Sequence, residues 1–183
     1  MSSSKLLIID ARVEEYNMFI TSRKEGILYV VYDYYIDTYA SLTQRILSTL
    51  EGNSIESVAL ITHTVDSPTF KLLEQEQESI LTGVMSVDPN IDSWSSFRNL
   101  WVDIGAKIVD LMGCSLYMND SWRYVLNTVE AQIGIRFRSS IDDIGAISTG
   151  ANWILETDNI NVKDLYFTEE IENWPGRLRL HLI

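Results

Sequence analysis

VALITHT (residues 58–64) opens on four consecutive apolar residues and closes on a histidine between two threonines. A short apolar run bounded by polar residues reads as a strand buried on both faces. Its end carries His63, one of two histidines in 183 residues. KIVDLMGCS (107–115) repeats the pattern: an apolar run, then a small motif that holds the only cysteine, Cys114. Two buried strands, each ending in a residue able to do chemistry, set the terms for the rest of the chain.

Working outward, KLLIID (5–10), ILYVVYD (27–33) and IRFRSS (135–140) read as three further strands, rich in β-branched and aromatic residues. Between them lie amphipathic stretches. Val13, Tyr16, Met18, Phe19 and Ile20 form a rough helical stripe over 11–24. Leu42, Ile46, Leu47 and Leu50 share a face in 37–52, and Gly52 marks its stop. Phe97, Leu100, Trp101 and Ile104, with Trp94, do the same in 92–106, where Asp92 or Ser93 is the cap. A capped helix follows over 119–134. Residues 64–90 read less clearly, as a polar excursion with a short helix or hairpin.

Apolar strands separated by amphipathic helices predict an α/β fold of three layers, a doubly wound, mainly parallel sheet flanked by helices. From 141 onward the texture becomes rich in turns, and RLRLHLI (177–183) alternates Leu178, Leu180 and Leu182 with Arg177, Arg179 and His181. That alternation predicts a half-buried pairing strand. The expected organisation is an α/β domain over 1–157 and a C-terminal extension over 158–183 that packs on the domain or on a partner.

Composition narrows the function classes. The net charge is −12, and no lysine- or arginine-rich patch is present, which disfavours nucleic acid and anionic membrane as partners. No apolar run is long enough to span a bilayer. The first ten residues lack the layout of a classical signal peptide. One cysteine forms no internal disulfide, which fits an intracellular protein or an assembly built inside a cell. Protein partners are expected; the oligomeric state is not legible.

In open α/β sheets ligands sit beyond the carboxyl ends of the strands. The assignments place Asp10, Asp33, His63 and Cys114 at four such ends. If the strands ending at His63 and Cys114 are adjacent, an imidazole stands ready to take the thiol proton. Asp10 and Asp33 are weighed as an acidic pocket and as caps of the turns that follow them; capping is the favoured reading. A phosphoacceptor site would need a lysine after the fifth strand, where IRFRSS offers arginines. One cysteine and two distant histidines do not make a zinc site. No phosphate loop, dinucleotide fingerprint or serine elbow is present, so no cofactor is expected. Trp94 and Trp101, seven apart, read as core. Trp174, beside Pro175 and Gly176, reads as an interface aromatic, together with Leu178, Leu180 and Leu182.

The order LLIID, VALITH, DLMGCS and IRFRSSIDDIGAISTGANWILE resembles the bacterial family of domain of unknown function 4347 over about residues 5–157. In that family the third strand ends in His-Gly and the fourth in Gly-Cys. The layout is also similar to the caspase, gingipain and separase-like fold, with a His-to-Cys separation near the roughly 50 residues of caspases. The resemblance implies His63 as base and Cys114 as nucleophile, with Gly113 in the turn and an oxyanion region at the residue after the histidine. That residue is Thr64 here instead of glycine, which crowds a tight turn. A distorted oxyanion hole is enough to silence such an enzyme. The resemblance therefore implies a degenerate member. The expected function is a non-catalytic structural or interaction module, a subunit of a cellular complex or virus particle. The alternative is a cysteine peptidase or self-processing enzyme with a His63/Cys114 dyad.

Overall fold

A computed structural model describes residues 3–62, 64–65, 69–70, 72–73, 81–82, 92–113 and 120–180. In chain order the elements are β1 (Ser3–Asp10), α1 (Asn17–Thr21), β2 (Leu28–Tyr32), α2 (Tyr39–Leu50) and β3 (Ser54–Ile61). Three short strands follow, β4 (Thr64–Val65), β5 (Thr69–Phe70) and β6 (Leu81–Thr82). Then come α3 (Asp92–Asp103), β7 (Ile108–Met112), α4 (Asp120–Ile133), β8 (Arg136–Arg138), β9 (Ile154–Leu155), β10 (Ile160–Asn161), α5 (Val162–Tyr166) and β11 (Arg179–Leu180).

The long apolar runs pair as a five-stranded sheet in the order β2-β1-β3-β7-β8, every pair parallel. The chain steps from β1 outward to β2, returns to β3 on the other side of β1, and continues to β7 and β8. The order thus reverses between β1 and β3, the place where doubly wound sheets open a crevice at their carboxyl edge.

Strand alternation divides the core in two. Leu6, Ile8, Val58, Leu60, Val109 and Leu111 face α2, α3 and α4, which cover them with Leu42, Ile46, Phe97, Trp101, Val125 and Val129. On this side sequence and structure agree closely, except that Leu47, expected on the apolar face of α2, is exposed: one residue on from Ile46, it is turned about 100° away from the sheet. Thr38 starts α2 with a reciprocal capping box, its hydroxyl taking the Ser41 N–H while the Ser41 hydroxyl takes the Thr38 N–H.

The opposite face, with Leu7, Ile9, Ala59, Ile61 and Met112, is covered mostly by irregular chain. The helix expected over 11–24 is confined to Asn17–Thr21, because Glu15 takes a left-handed conformation at φ 50°. Val13 and Phe19 nonetheless reach the core. The remaining cover comes from Trp153, Tyr166, Phe167, Ile171, Trp174 and Leu178. β9 and β10 pair across the expected boundary at 157, Leu155 opposite Ile160. The segment after 157 is therefore a wall of the same core.

Trp174 and Leu178, expected at an interface, are 1% and 0% exposed. The indole lies 4.9 Å from the Phe19 ring and donates its N–H to the Glu14 carbonyl at 2.7 Å. Gly176 makes room for it, since a Cβ there would stand 2.7 Å from the indole. The turn residues that suggested exposure are what fold the aromatic ring inward. Leu180 lies in β11, which runs parallel to β4 with Arg179 opposite Thr64; Leu182 lies outside the described residues.

Candidate functional site at the carboxyl edge of the sheet

Asp10 ends β1 fully buried, and its carboxylate is satisfied locally. Oδ1 accepts the Arg12 N–H at 2.9 Å, and Oδ2 accepts Arg12 Nη2 at 2.7 Å. Arg12 Nε lies 3.1 and 3.0 Å from the two oxygens. The Thr62 hydroxyl, from the end of β3, donates to Oδ2 at 3.0 Å. The Arg12 guanidinium also lies over the Tyr34 ring, 3.5 Å from its centroid. Burial works against its charge, but the bond to Asp10 and that carboxylate's field prevail and raise its pKa.

A carboxylate offers about four accepting positions, and those of Asp10 are taken. It is a latch across the switch between β1 and β3, with no lone pair left for a metal or a substrate proton. Asp33 caps its turn in the simpler way, Oδ1 accepting the Tyr35 N–H at 2.9 Å. Both aspartates thus do the capping work that strand-end aspartates ordinarily do.

The ends of β3 and β7 lie side by side, with Ile61 opposite Met112 in the register. His63 and Cys114 each follow two residues later in the sequence and lie outside the described residues. Between them and the strands, Thr62 is tied to Asp10, and Gly113 is buried with its carbonyl accepting the Ser140 hydroxyl at 3.2 Å. The same hydroxyl is 2.9 Å from the Asp142 carbonyl. Thr64, where the oxyanion region was expected, is the first residue of β4 and pairs with Arg179.

Deeper on the second face is a polar group that sequence reading missed. Asp110, in the middle of β7, is fully buried. It receives Arg138 through Nε at 2.5 Å and Nη2 at 2.8 Å, and the Tyr166 hydroxyl at 2.5 Å. The Tyr166 oxygen is also 2.7 Å from the Ser57 hydroxyl. Burial first, then the Asp110 charge, pushes the phenol pKa far above its ordinary value. Charged residues inside two apolar strands, Asp110 in KIVDLMG and Arg138 in IRFRSS, were the available signal.

The run after β8 is equally committed. The Thr149 hydroxyl donates to the Ala146 carbonyl at 2.6 Å, and Trp153 Nε1 donates to Glu172 at 2.7 Å. Glu156 Oε2 accepts the Ile141 N–H at 2.9 Å. Burial first, and then the neighbouring Asp142, raises the Glu156 pKa. Among the described residues, no three of His, Cys, Asp and Glu come together as a metal site. No helix among them is long and apolar enough to cross a membrane.

A parallel α/β sheet, flanked by helices and closed on one face by an irregular aromatic segment, defines the class of domain. The chain belongs to the family described as Domain of unknown function (DUF4347), whose model matches residues 6–178. That match includes the segment beyond 157, in keeping with its place in the core. No curated protein and no solved structure gives a match.

Proposed function

We propose that this chain is a non-catalytic structural or interaction module on a caspase-like frame, a subunit of a larger protein assembly formed inside the cell. The saturation of the strand-end polar groups carries this reading. Asp10, Arg12 and Thr62 are bound to one another, and the Gly113 carbonyl is held by Ser140. Groups that an enzyme would leave free for substrate are used here to fix the edge of the sheet. The departure from His-Gly at Thr64 supports the same reading, because that residue opens β4 and is engaged with Arg179.

A second reading, a cysteine peptidase or self-processing enzyme with His63 and Cys114 as its dyad, is favoured by one observation: β3 and β7 end in register at Ile61 and Met112. Alkylation of Cys114 near neutral pH separates the two. The module reading expects labelling no faster than that of the unfolded chain and unchanged by His63→Ala. Rapid labelling lost in His63→Ala would establish an activated thiolate and overturn it.

A further inference from the structure

A parallel sheet has two side strands, and each presents backbone groups on which another strand can grow. Here both sides are partly occupied by the chain's own groups. On β2, the Tyr32 carbonyl is taken by the Ala11 N–H at 3.0 Å, so Tyr32 is turned toward β1. Alternation along the strand then directs the backbone of Ile27, Val31 and Asp33 outward.

Those outward groups meet charged side chains. The Val31 carbonyl accepts from Arg45 Nη1 at 3.1 Å, and the Ile27 carbonyl from Arg23 Nε at 2.9 Å. The Asp33 N–H donates to Asp37 Oδ2 at 2.7 Å. Neither arginine is loose. Arg45 is held by both oxygens of Asp37, at 3.0 and 2.8 Å. Arg23 also donates to the Ile20 carbonyl at 2.6 Å and lies over the Tyr29 ring, 4.6 Å from its centroid.

The far side is treated likewise. The Arg136 N–H donates to the Lys107 carbonyl at 3.0 Å, which turns Arg136 toward β7 and directs Phe137 and Ser139 outward. The Phe137 N–H reaches Glu130 Oε2 at 3.4 Å. Ser139 is covered twice by Thr157, whose hydroxyl accepts its N–H at 3.0 Å and whose N–H donates to its carbonyl at 3.3 Å.

We infer that the sheet is guarded against extension: Arg23, Arg45 and Asp37 on β2, and Glu130 and Thr157 on β8, hold several of the backbone positions that a strand from a second copy would need. An incoming strand must break these bonds and bury the charges that made them, a cost that ordinary strand pairing does not repay. Two unrelated sets of residues do the same job at opposite ends of the sheet.

The test uses the whole chain with Arg23→Ala, Arg45→Ala and Asp37→Asn together, the last so that no buried carboxylate is left alone. Sedimentation velocity over a wide concentration range should find the wild type free of sheet-mediated association. The folded triple variant should self-associate at least about tenfold more tightly. Adding Tyr29→Lys, which puts a charge on the same strand, should return the variant to the wild-type state. A folded triple variant that sediments like wild type overturns the inference, as does association that survives Tyr29→Lys. A wild-type dimer that Tyr29→Lys dissolves overturns it too. Should the triple variant not fold, Arg45→Gln and Arg23→Gln singly decide the matter in the same terms.

Discussion

Tyr166 and Asp110, 56 residues apart in sequence, are joined by a 2.5 Å hydrogen bond beneath the second face of the sheet, the phenol donating to Oδ2. Through it α5 is anchored to β7, the strand that leads to Gly113. The carboxylate is shared with Arg138, so the two partners should be separable by mutation. Tyr166→Phe keeps the ring and removes one bond to a charged acceptor, a loss of about 1.5–3 kcal/mol. Arg138→Met leaves Asp110 buried without its counter-ion and should cost about 3–5 kcal/mol. Urea unfolding of both variants gives the comparison, and equal losses would contradict the ranking.

The Asp10 latch yields a second pair. Thr62→Val removes one of the donors to the buried Asp10 carboxylate and should cost about 1.5–3 kcal/mol. Arg12→Lys exchanges the two-pronged contact and the stacking on Tyr34 for a single point charge, and should cost more. Thermal unfolding distinguishes them.

Acid sensitivity follows from carboxylates held by cations and N–H groups. Asp158 is lowered chiefly by Arg136. For Asp37 and Glu172, burial acts to raise the pKa, but bonds from Arg45, Ser41 and the Asp33 N–H prevail at the first, and bonds from the Ile147 N–H, Trp153 and Lys163 at the second. A folded pKa below the unfolded one gives stability that is complete above the unfolded value and lost as pH falls through the folded value. Stability should therefore decline from about pH 5 downward, and Glu172→Gln should flatten that decline. Denaturant midpoints between neutral and acid pH measure it; an unchanged acid limb in Glu172→Gln would remove Glu172 from the account.

Glu156 runs the other way. Its raised pKa means that folding favours the protonated form, a contribution present at low pH and lost as pH rises through the folded value. Glu156→Gln keeps an oxygen for the Ile141 N–H and places an amide donor near Asp142. It should stabilise the protein at neutral pH, with the gain vanishing in acid. A loss at neutral pH would show that the charge is needed.

Gly145 supplies a steric prediction. A Cβ there would lie 2.7 Å from the Gly176 carbonyl oxygen, a backbone atom with little room to yield. Gly145→Ala should cost about 1–3 kcal/mol, read from the unfolding midpoint.

Periodicity made one side of this molecule legible and left the other obscure. Leu42, Ile46 and Leu50 of α2, and Phe97 and Trp101 of α3, lie on regular helices, where position along the chain reports direction. Trp153, Phe167 and Trp174 lie on irregular chain positioned by contacts of Asn161 and Glu172 and by the space left by Gly176, none of which imposes a repeat. Asp33 was readable as a cap because its partner, Tyr35, is two residues away. The Asp110–Arg138–Tyr166 group was not, because strand adjacency and the fold of the last segment must both be known before the three meet. At the carboxyl edge, the sequence left the adjacency of the β3 and β7 ends as a condition, which the register of Ile61 opposite Met112 meets; His63 and Cys114 themselves lie beyond the described residues.

The bond from Trp174 to the Glu14 carbonyl spans 160 residues, and it dates the completion of the fold during synthesis. α2, α3 and α4 lie between or beside the strands they cover and can dock as the ribosome delivers them. Leu7, Ile9, Ala59 and Ile61 must instead wait for Trp153 to Leu178, made about a hundred residues later. Translation at about 5–20 residues per second leaves that apolar face uncovered for several seconds. Nascent copies on one messenger are thus most adhesive just before residues 153–178 emerge, and chaperone occupancy should peak there.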